Sequence, residues 1–243
     1  MILKKIVIRC VRFLKKEDIT LDESLGNKDL LRLFVTRGRM LLRSSFRGWS
    51  SFFWPNHFIF FGKGVIIQHR QKITIGSGTT LGRGVSIDGL SKQGVKLGAN
   101  VNLGDFTVLK CTGSLSELGV GIKIGSNVGI GAFSYIGGAG GVEIGDDCIM
   151  GVSIGFYAEN HKHDDITTAI RSQGTSRKGI KIGADCWVGS NAVFLDGCDV
   201  GRGCVVAAGS IITKSFPELS IIAGVPARVI GHRNGYKSEI INV

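Results

Sequence analysis

Large aliphatic or aromatic side chains recur at every sixth position late in the chain, at Ile182, Val188, Phe194, Val200, Val206 and Ile212. Small residues keep the same beat. Gly183, Gly189 and Gly201 stand one step behind the large residue, and Cys186, Ala192, Cys198, Cys204 and Ser210 stand four steps behind. The beat also runs through Ile75, Leu81 and Ile87, then Leu97, Leu103 and Leu109, then Ile124, Ile130 and Ile136, then Ile144 and Met150, with the frame slipping between blocks. A period of six is neither the 3.6 of a helix nor the two of a plain strand, so it requires a short strand and a bend, repeated. One large inward side chain per strand, a small one beside it and a glycine at the bend let three strands close a triangular coil, whose interior stacks on its neighbours. The pattern therefore predicts a mainly β fold built from coils of short strands.

A different period opens the chain. Residues 29–47 have helical spacing, with Arg32, Arg39, Arg43 and Arg47 within about 80° on a helical wheel and the other faces largely apolar. An aromatic run follows directly, SFFWPNHFIFF at residues 51–61. Charge divides at the same place: residues 1–72 carry 15 Lys and Arg against 5 acids, and residues 73–243 carry 15 against 14. We expect a basic, partly helical segment over 1–72, a coil domain over 73–230 with a protruding loop at 155–180, and a tail over 231–243. The N-terminal segment either caps the coil, with its arginines in water, or docks on a membrane surface through residues 1–61. A nucleic-acid surface is not expected, because no binding motif accompanies the charge and the aromatics are clustered. No uncharged apolar run of 18 residues occurs and the N-terminus is a poor match to a signal peptide, so the expected location is the cytoplasm, peripheral at the inner face of the plasma membrane if the leader docks.

Loops at the frame slips are where chemistry is expected. The longest slip, between Met150 and Ile182, contains GFYAENHKHDDITTAIRSQGTSRKG, with His161, His163 and a cluster of carboxylates and basic groups. Read from the residues alone, the His-Lys-His stretch has three interpretations: solvated loop histidines, a metal site completed by Asp164 or Asp165, or a general base, which a neutral imidazole can be near neutral pH. The cysteines carry less chemistry. Cys148, Cys186, Cys198 and Cys204 all fall on the small inward position of a hexad, with no CxxC pair, which makes them packing residues.

With its aliphatic-Gly-x-x-small-x motifs, the chain resembles the hexapeptide-repeat acyltransferases over about residues 73–230. The resemblance implies a left-handed parallel β-helix, a homotrimer with active sites between neighbouring subunits, and acetyl-CoA as acyl donor. In the galactoside and maltose acetyltransferases of this family, a loop histidine follows an Ile-Gly-Asp hexad by a fixed interval and acts as the base. Here Ile144, Gly145 and Asp146 are followed at that interval by His161. The resemblance thus makes His161 the catalytic base, with His163, the second histidine of the pattern, beside the acceptor; Asn160 and Asp165 either orient His161 or the acceptor or cap the loop, and no metal is implied. The acceptor-binding asparagine of those enzymes is replaced by Gly131, so the acceptor site differs. The His-x-His-Asp-Asp and Ile-Arg-Ser-Gln-Gly elements look instead like the subgroup that serves surface polysaccharide assembly, such as the colanic acid and O-antigen O-acetyltransferases.

Residues 207–231, AAGSIITKSFPELSIIAGVPARVIG, match the C-terminal signature of the same family. A pantetheine arm requires a flat surface of small residues, and nucleotide phosphates require cations. By resemblance, Trp187 and Ser190 contact the arm, and Ala208, Thr213, Lys214 and Arg228 contact the nucleotide portion. A second family arginine falls at Gly231, with Arg233 nearby. The expected function is acetyl-CoA-dependent O-acetylation of a sugar hydroxyl during surface polysaccharide synthesis, on an acceptor that is lipid-linked if the leader docks. The alternatives are N-acetylation of a nucleotide-linked amino sugar, a zinc enzyme of the γ-carbonic anhydrase type, which needs a third histidine this loop lacks, and a non-catalytic β-helix scaffold.

Overall fold

The structure, a computed structural model, describes residues 4, 6–9, 12, 20–22, 24–50 and 57–233. The chain winds as a left-handed parallel β-helix with an N-terminal helical segment. Three parallel sheets form the walls: sheet A grows from Phe60–Phe61, sheet B from Ile66–Gln68 and sheet C from Ile73–Ile75. The coil thus begins at Phe60, ahead of the expected boundary at residue 73. Successive coils stack in strict register, for example Ile130 on Leu103 and Met150 on Ile130 in sheet A.

The hexad residues point inward and are almost completely buried, among them Leu81, Leu103, Ile130 and Val188 from sheet A and Ile87, Leu109, Ile136, Phe156 and Phe194 from sheet B. The four hexad cysteines are buried too. Three of the thiols bond carbonyls of the next coil, Cys148 to Gly183 at 3.2 Å, Cys186 to Gly201 at 3.3 Å and Cys204 to Pro217 at 3.2 Å. Burial pushes the Cys198 thiol up to about 12, which leaves no thiolate near neutral pH.

The role of the hexad glycine differs from the expectation. The left-handed backbone of the corners is carried by other residues, including Asn100, Asn127, Phe133, Asp147 and Asn191. The glycine is required because the coils approach too closely for a side chain: a Cβ on Gly189 would lie 2.4 Å from the Ala208 nitrogen, and one on Gly76 would lie 2.4 Å from the Gly98 carbonyl. Gly189→Ala is therefore expected to destabilise the coil by about 1–3 kcal/mol, measured as a lowered midpoint in chemical denaturation.

Connections between strands obey a simple rule. From sheet A to sheet B, and from sheet C to sheet A, the corner is four residues long, as at 189–192 and 183–186. All irregular length is confined to the corner from sheet B to sheet C, where segments 89–94, 111–121 and 158–179 leave the prism.

Among the described residues the first coil has no strand before it, so its carbonyls need partners from elsewhere. Helix α1, Asn27–Phe46, supplies them. The Asp29 carboxylate accepts the Gly26 amide at 3.2 Å and starts the helix. Arg47 then donates to the Val65 carbonyl at 2.8 Å, Arg43 to the Phe61 carbonyl at 3.5 Å, and the buried Ser44 hydroxyl to the Ile59 carbonyl. Arg37 reaches Thr80 at 2.8 Å across the Phe60 ring. The arginine stripe read from the sequence is thus divided. Arg43 and Arg47 hold the cap, joined by Arg37, whereas Arg32 and Arg39 remain at the surface. The aromatic run lies only partly inside the described residues, which resume at residue 57.

Candidate active site

Residues 158–179 leave the coil after the sheet B strand Gly155–Tyr157 and return before the sheet C strand Ile180–Ile182. The arm is a short antiparallel hairpin in which Asn160 pairs with Ser176 and His161 with Thr175. Its base is fixed by one guanidinium. Arg177, with only 13% of its side chain exposed, reaches Glu159 at 3.1 Å and Glu117 at 3.2 Å. A largely buried cation with two carboxylate partners ties the histidine arm to the neighbouring 111–121 segment, more firmly than an exposed ion pair would.

The tip of the arm is built by local hydrogen bonds. Asp165 accepts from the Thr167 amide at 2.8 Å and the Thr167 hydroxyl at 2.6 Å, and Gln173 closes the loop by donating to the Asp165 and Thr168 carbonyls. Hydrogen bonds from Thr167 and Thr168 pull the Asp165 carboxyl down to about 2. Asp165 is thus engaged in shaping the tip. His163 donates from Nδ1 to the His161 carbonyl at 3.0 Å, which leaves its Nε2 as the acceptor nitrogen when the ring is neutral. Asn160 is exposed beside His161.

His161 stands at the mouth of a cavity of about 290 Å³, lined also by Lys110, Thr112, Tyr135, Tyr157 and Glu159. Its ring makes no hydrogen bond to other described residues, which leaves both nitrogens accessible. The Tyr135 and Tyr157 rings stack with centroids 5.6 Å apart. Burial, and secondarily the Glu159 carboxylate, raises the Tyr135 phenol above its ordinary value, so it remains a hydrogen-bond donor. The cavity therefore places an imidazole beside aromatic faces, a carboxylate and an ammonium, a set suited to a polyhydroxylated ring. Neither tyrosine was singled out from the sequence. Each adjoins an inward hexad residue, Ile136 or Phe156, but only the stacking of one coil on the next brings the two rings together.

The residues expected at the donor lie elsewhere on the prism. Trp187, 59% exposed, is on the outer face of sheet A between Ile149 and Val205 of the adjoining coils. Ser190 and Ala208 occupy successive corners from sheet A to sheet B, and the Ser190 hydroxyl accepts the Val152 amide at 3.2 Å. Thr213 and Lys214 follow the last sheet B strand, with the Lys214 ammonium 5.8 Å from the Phe216 ring. Arg228 is exposed in the closing hairpin of Ser220–Gly224 and Ala227–His232, and Arg233 pairs with Asp185 at 3.0 Å. The width of sheet B separates Trp187, Ser190 and Ala208 from the His161 corner of the same chain. Among the described residues, no three His, Cys, Asp or Glu side chains are grouped as a metal site.

Two family models match the coil: the bacterial transferase hexapeptide over residues 179–214, and the hexapeptide repeat of succinyl-transferase over residues 121–155. WbbJ of Escherichia coli K12, named for lipopolysaccharide biosynthesis O-acetyl transfer, is 30% identical over 177 residues, covering 69% of this chain and 76% of WbbJ. The chain belongs to the hexapeptide-repeat acetyltransferase family. A Mycobacterium tuberculosis protein named as an acetyltransferase is 32% identical over 155 residues, covering 63% of this chain. The match spans about half of that relative's length, 49%. Among solved structures, the N-acyltransferase AntD of Bacillus cereus, in complex with dTDP-4-amino-4,6-dideoxyglucose and coenzyme A, shares the fold with a TM-score of 0.51 at 20% identity, covering 73% of this hexapeptide-repeat chain and 81% of AntD.

Proposed function

We propose that this acetyltransferase moves an acetyl group from acetyl-CoA to a saccharide hydroxyl in the synthesis of a surface polysaccharide, with His161 as general base. The observation that carries the reading is the position of the imidazole, unengaged, at the mouth of a cavity lined by two tyrosines, a glutamate and a lysine. In the reaction the sugar oxygen attacks the thioester carbonyl as His161 takes its proton. The new C–O bond forms, the C–S bond breaks, and the proton passes to the departing thiolate of coenzyme A. The 30% identity to WbbJ, named for lipopolysaccharide O-acetyl transfer, supports the hydroxyl acceptor.

The donor lies along Trp187, Ser190, Ala208, Thr213, Lys214 and Arg228, the base comes from an adjacent chain, and the enzyme is a homotrimer working in the cytoplasm. Support for a site shared between chains comes from the separation of Trp187, Ser190 and Ala208 from His161 across sheet B. Within this reading, the leader precedes the catalytic coil, which begins at Phe60.

The test measures thiol release from acetyl-CoA with two panels of acceptors, neutral sugars and glycosides on one side and nucleotide-linked amino sugars on the other. Release with hydroxyl acceptors, and an alkali-labile acetyl ester in the product, is the expected result. An alkali-stable amide formed only on amino sugars would move the assignment to N-acetylation. No release with either panel would remove it.

A further inference from the structure

The cap helix buries Leu30 and Ser44 and turns Arg37, Arg43 and Arg47 onto the coil. With Arg37, Arg43, Arg47 and Ser44 engaged on the coil, the sector of α1 facing away from it carries Leu31 at 55% exposure, Phe34 at 51%, Val35 at 40%, Leu42 at 49% and Phe46 at 89%. These five side chains fall within about 120° of the wheel. The adjoining sector holds Lys28, Arg32 and Arg39, all exposed and with no ion pair or hydrogen bond to the described residues. A continuous apolar strip with large aromatic side chains, edged by unengaged cations, is costly to leave in water.

We propose that α1 lies in the interface of an anionic lipid membrane, with Phe34, Leu42 and Phe46 among the acyl chains and Lys28, Arg32 and Arg39 at the headgroup phosphates. Charge complementarity selects this occupant: residues 1–72 carry 15 cationic side chains against 5 acids, an excess suited to an anionic surface. No helix among the described residues is long and apolar enough to cross a membrane, so the contact is one of lying on the surface. This inference goes beyond the catalytic assignment and stands independently of it, since the helix is remote from the His161 corner. If both hold, the docked enzyme works where lipid-linked saccharides are assembled.

The experiment uses the full chain and sucrose-loaded vesicles, one set of phosphatidylcholine alone and one containing phosphatidylglycerol. The wild type is expected to sediment with the anionic vesicles, and F34Q/L42Q/F46Q is expected to lose at least about tenfold in partitioning, since each change removes buried apolar area. R32E/R39E is expected to lose the preference for anionic over neutral vesicles. All these side chains are exposed, so a circular dichroism melt matching the wild type is expected for both variants. Equal partitioning of wild type and F34Q/L42Q/F46Q overturns the proposal. So does a wild type that ignores vesicles while F34Q/L42Q/F46Q falls to a smaller species in light scattering, because the strip would then be covered by a second copy of this chain.

Discussion

His161→Ala is expected to lower the rate of acetyl transfer by a factor of about 10² to 10⁴, the range associated with removing a positioned general base. The loss should fall on kcat, because the ring is at the mouth of the cavity and makes no hydrogen bond that shapes it. Thermal stability should be unchanged within about 1 °C, the usual result for an exposed side chain without hydrogen-bond partners. Binding of coenzyme A, measured by calorimetry, should survive, because the residues proposed for the donor lie across sheet B. Co-expression sharpens the prediction. Ala208→Trp fills the donor surface and leaves the base intact. If each site combines His161 of one chain with Ala208 of the next, mixed oligomers of the two inactive variants recover part of the wild-type rate. If both residues serve the same chain's site, the mixture stays inactive. A rate for His161→Ala within threefold of wild type would remove the base assignment, whatever the mixture does.

The second large effect concerns the core. Phe156 and Phe194 stack in adjoining coils with ring centroids 4.7 Å apart and planes 7° from parallel, and both are fully buried. Phe194→Ala removes one ring and leaves the other facing a void, at a cost of about 3–5 kcal/mol. That corresponds to a fall in Tm of roughly 10 °C for a domain of this size. Calorimetry or chemical denaturation would measure it, and a change below about 1 kcal/mol would show that the column collapses around the gap. Because the Phe156 coil leads into the histidine arm, the variant should also lose activity before it loses its global fold.

Much of the coil was legible because a period-six repeat marks each inward side chain one strand at a time: Ile182, Val188 and Phe194 announce three walls without reference to any distant residue. The reason for the hexad glycine was not. Its constraint is the approach of the next coil, as at Gly189 over Ala208, and the distance between coils is not written in local sequence. The histidine arm was identifiable from its length and its titratable groups, but the surroundings of His161 were not. Tyr135, Tyr157 and Glu117 come from segments that the register alone brings to one corner, and nothing in the local sequence sets Arg177, which binds Glu117 and Glu159, apart from the other basic residues of the arm. Helix α1 shows the opposite failure. Its stripe was correctly spaced, yet the capping alternative, with the arginines in water, assumed that apolar side chains face the coil. The unpaired carbonyls of the first coil reversed that preference, since hydrogen-bond donors were what the open edge lacked.

Confining every irregular insertion to one edge of the prism separates two demands that most folds impose on the same residues. Two edges of invariant length keep the pitch, so packing tolerates almost any segment at the third. A lineage could therefore exchange the 111–121 or 158–179 segment wholesale and acquire a new acceptor without renegotiating the hydrophobic column, and chimeras that swap only this ridge should inherit the donor of one parent and the sugar preference of the other.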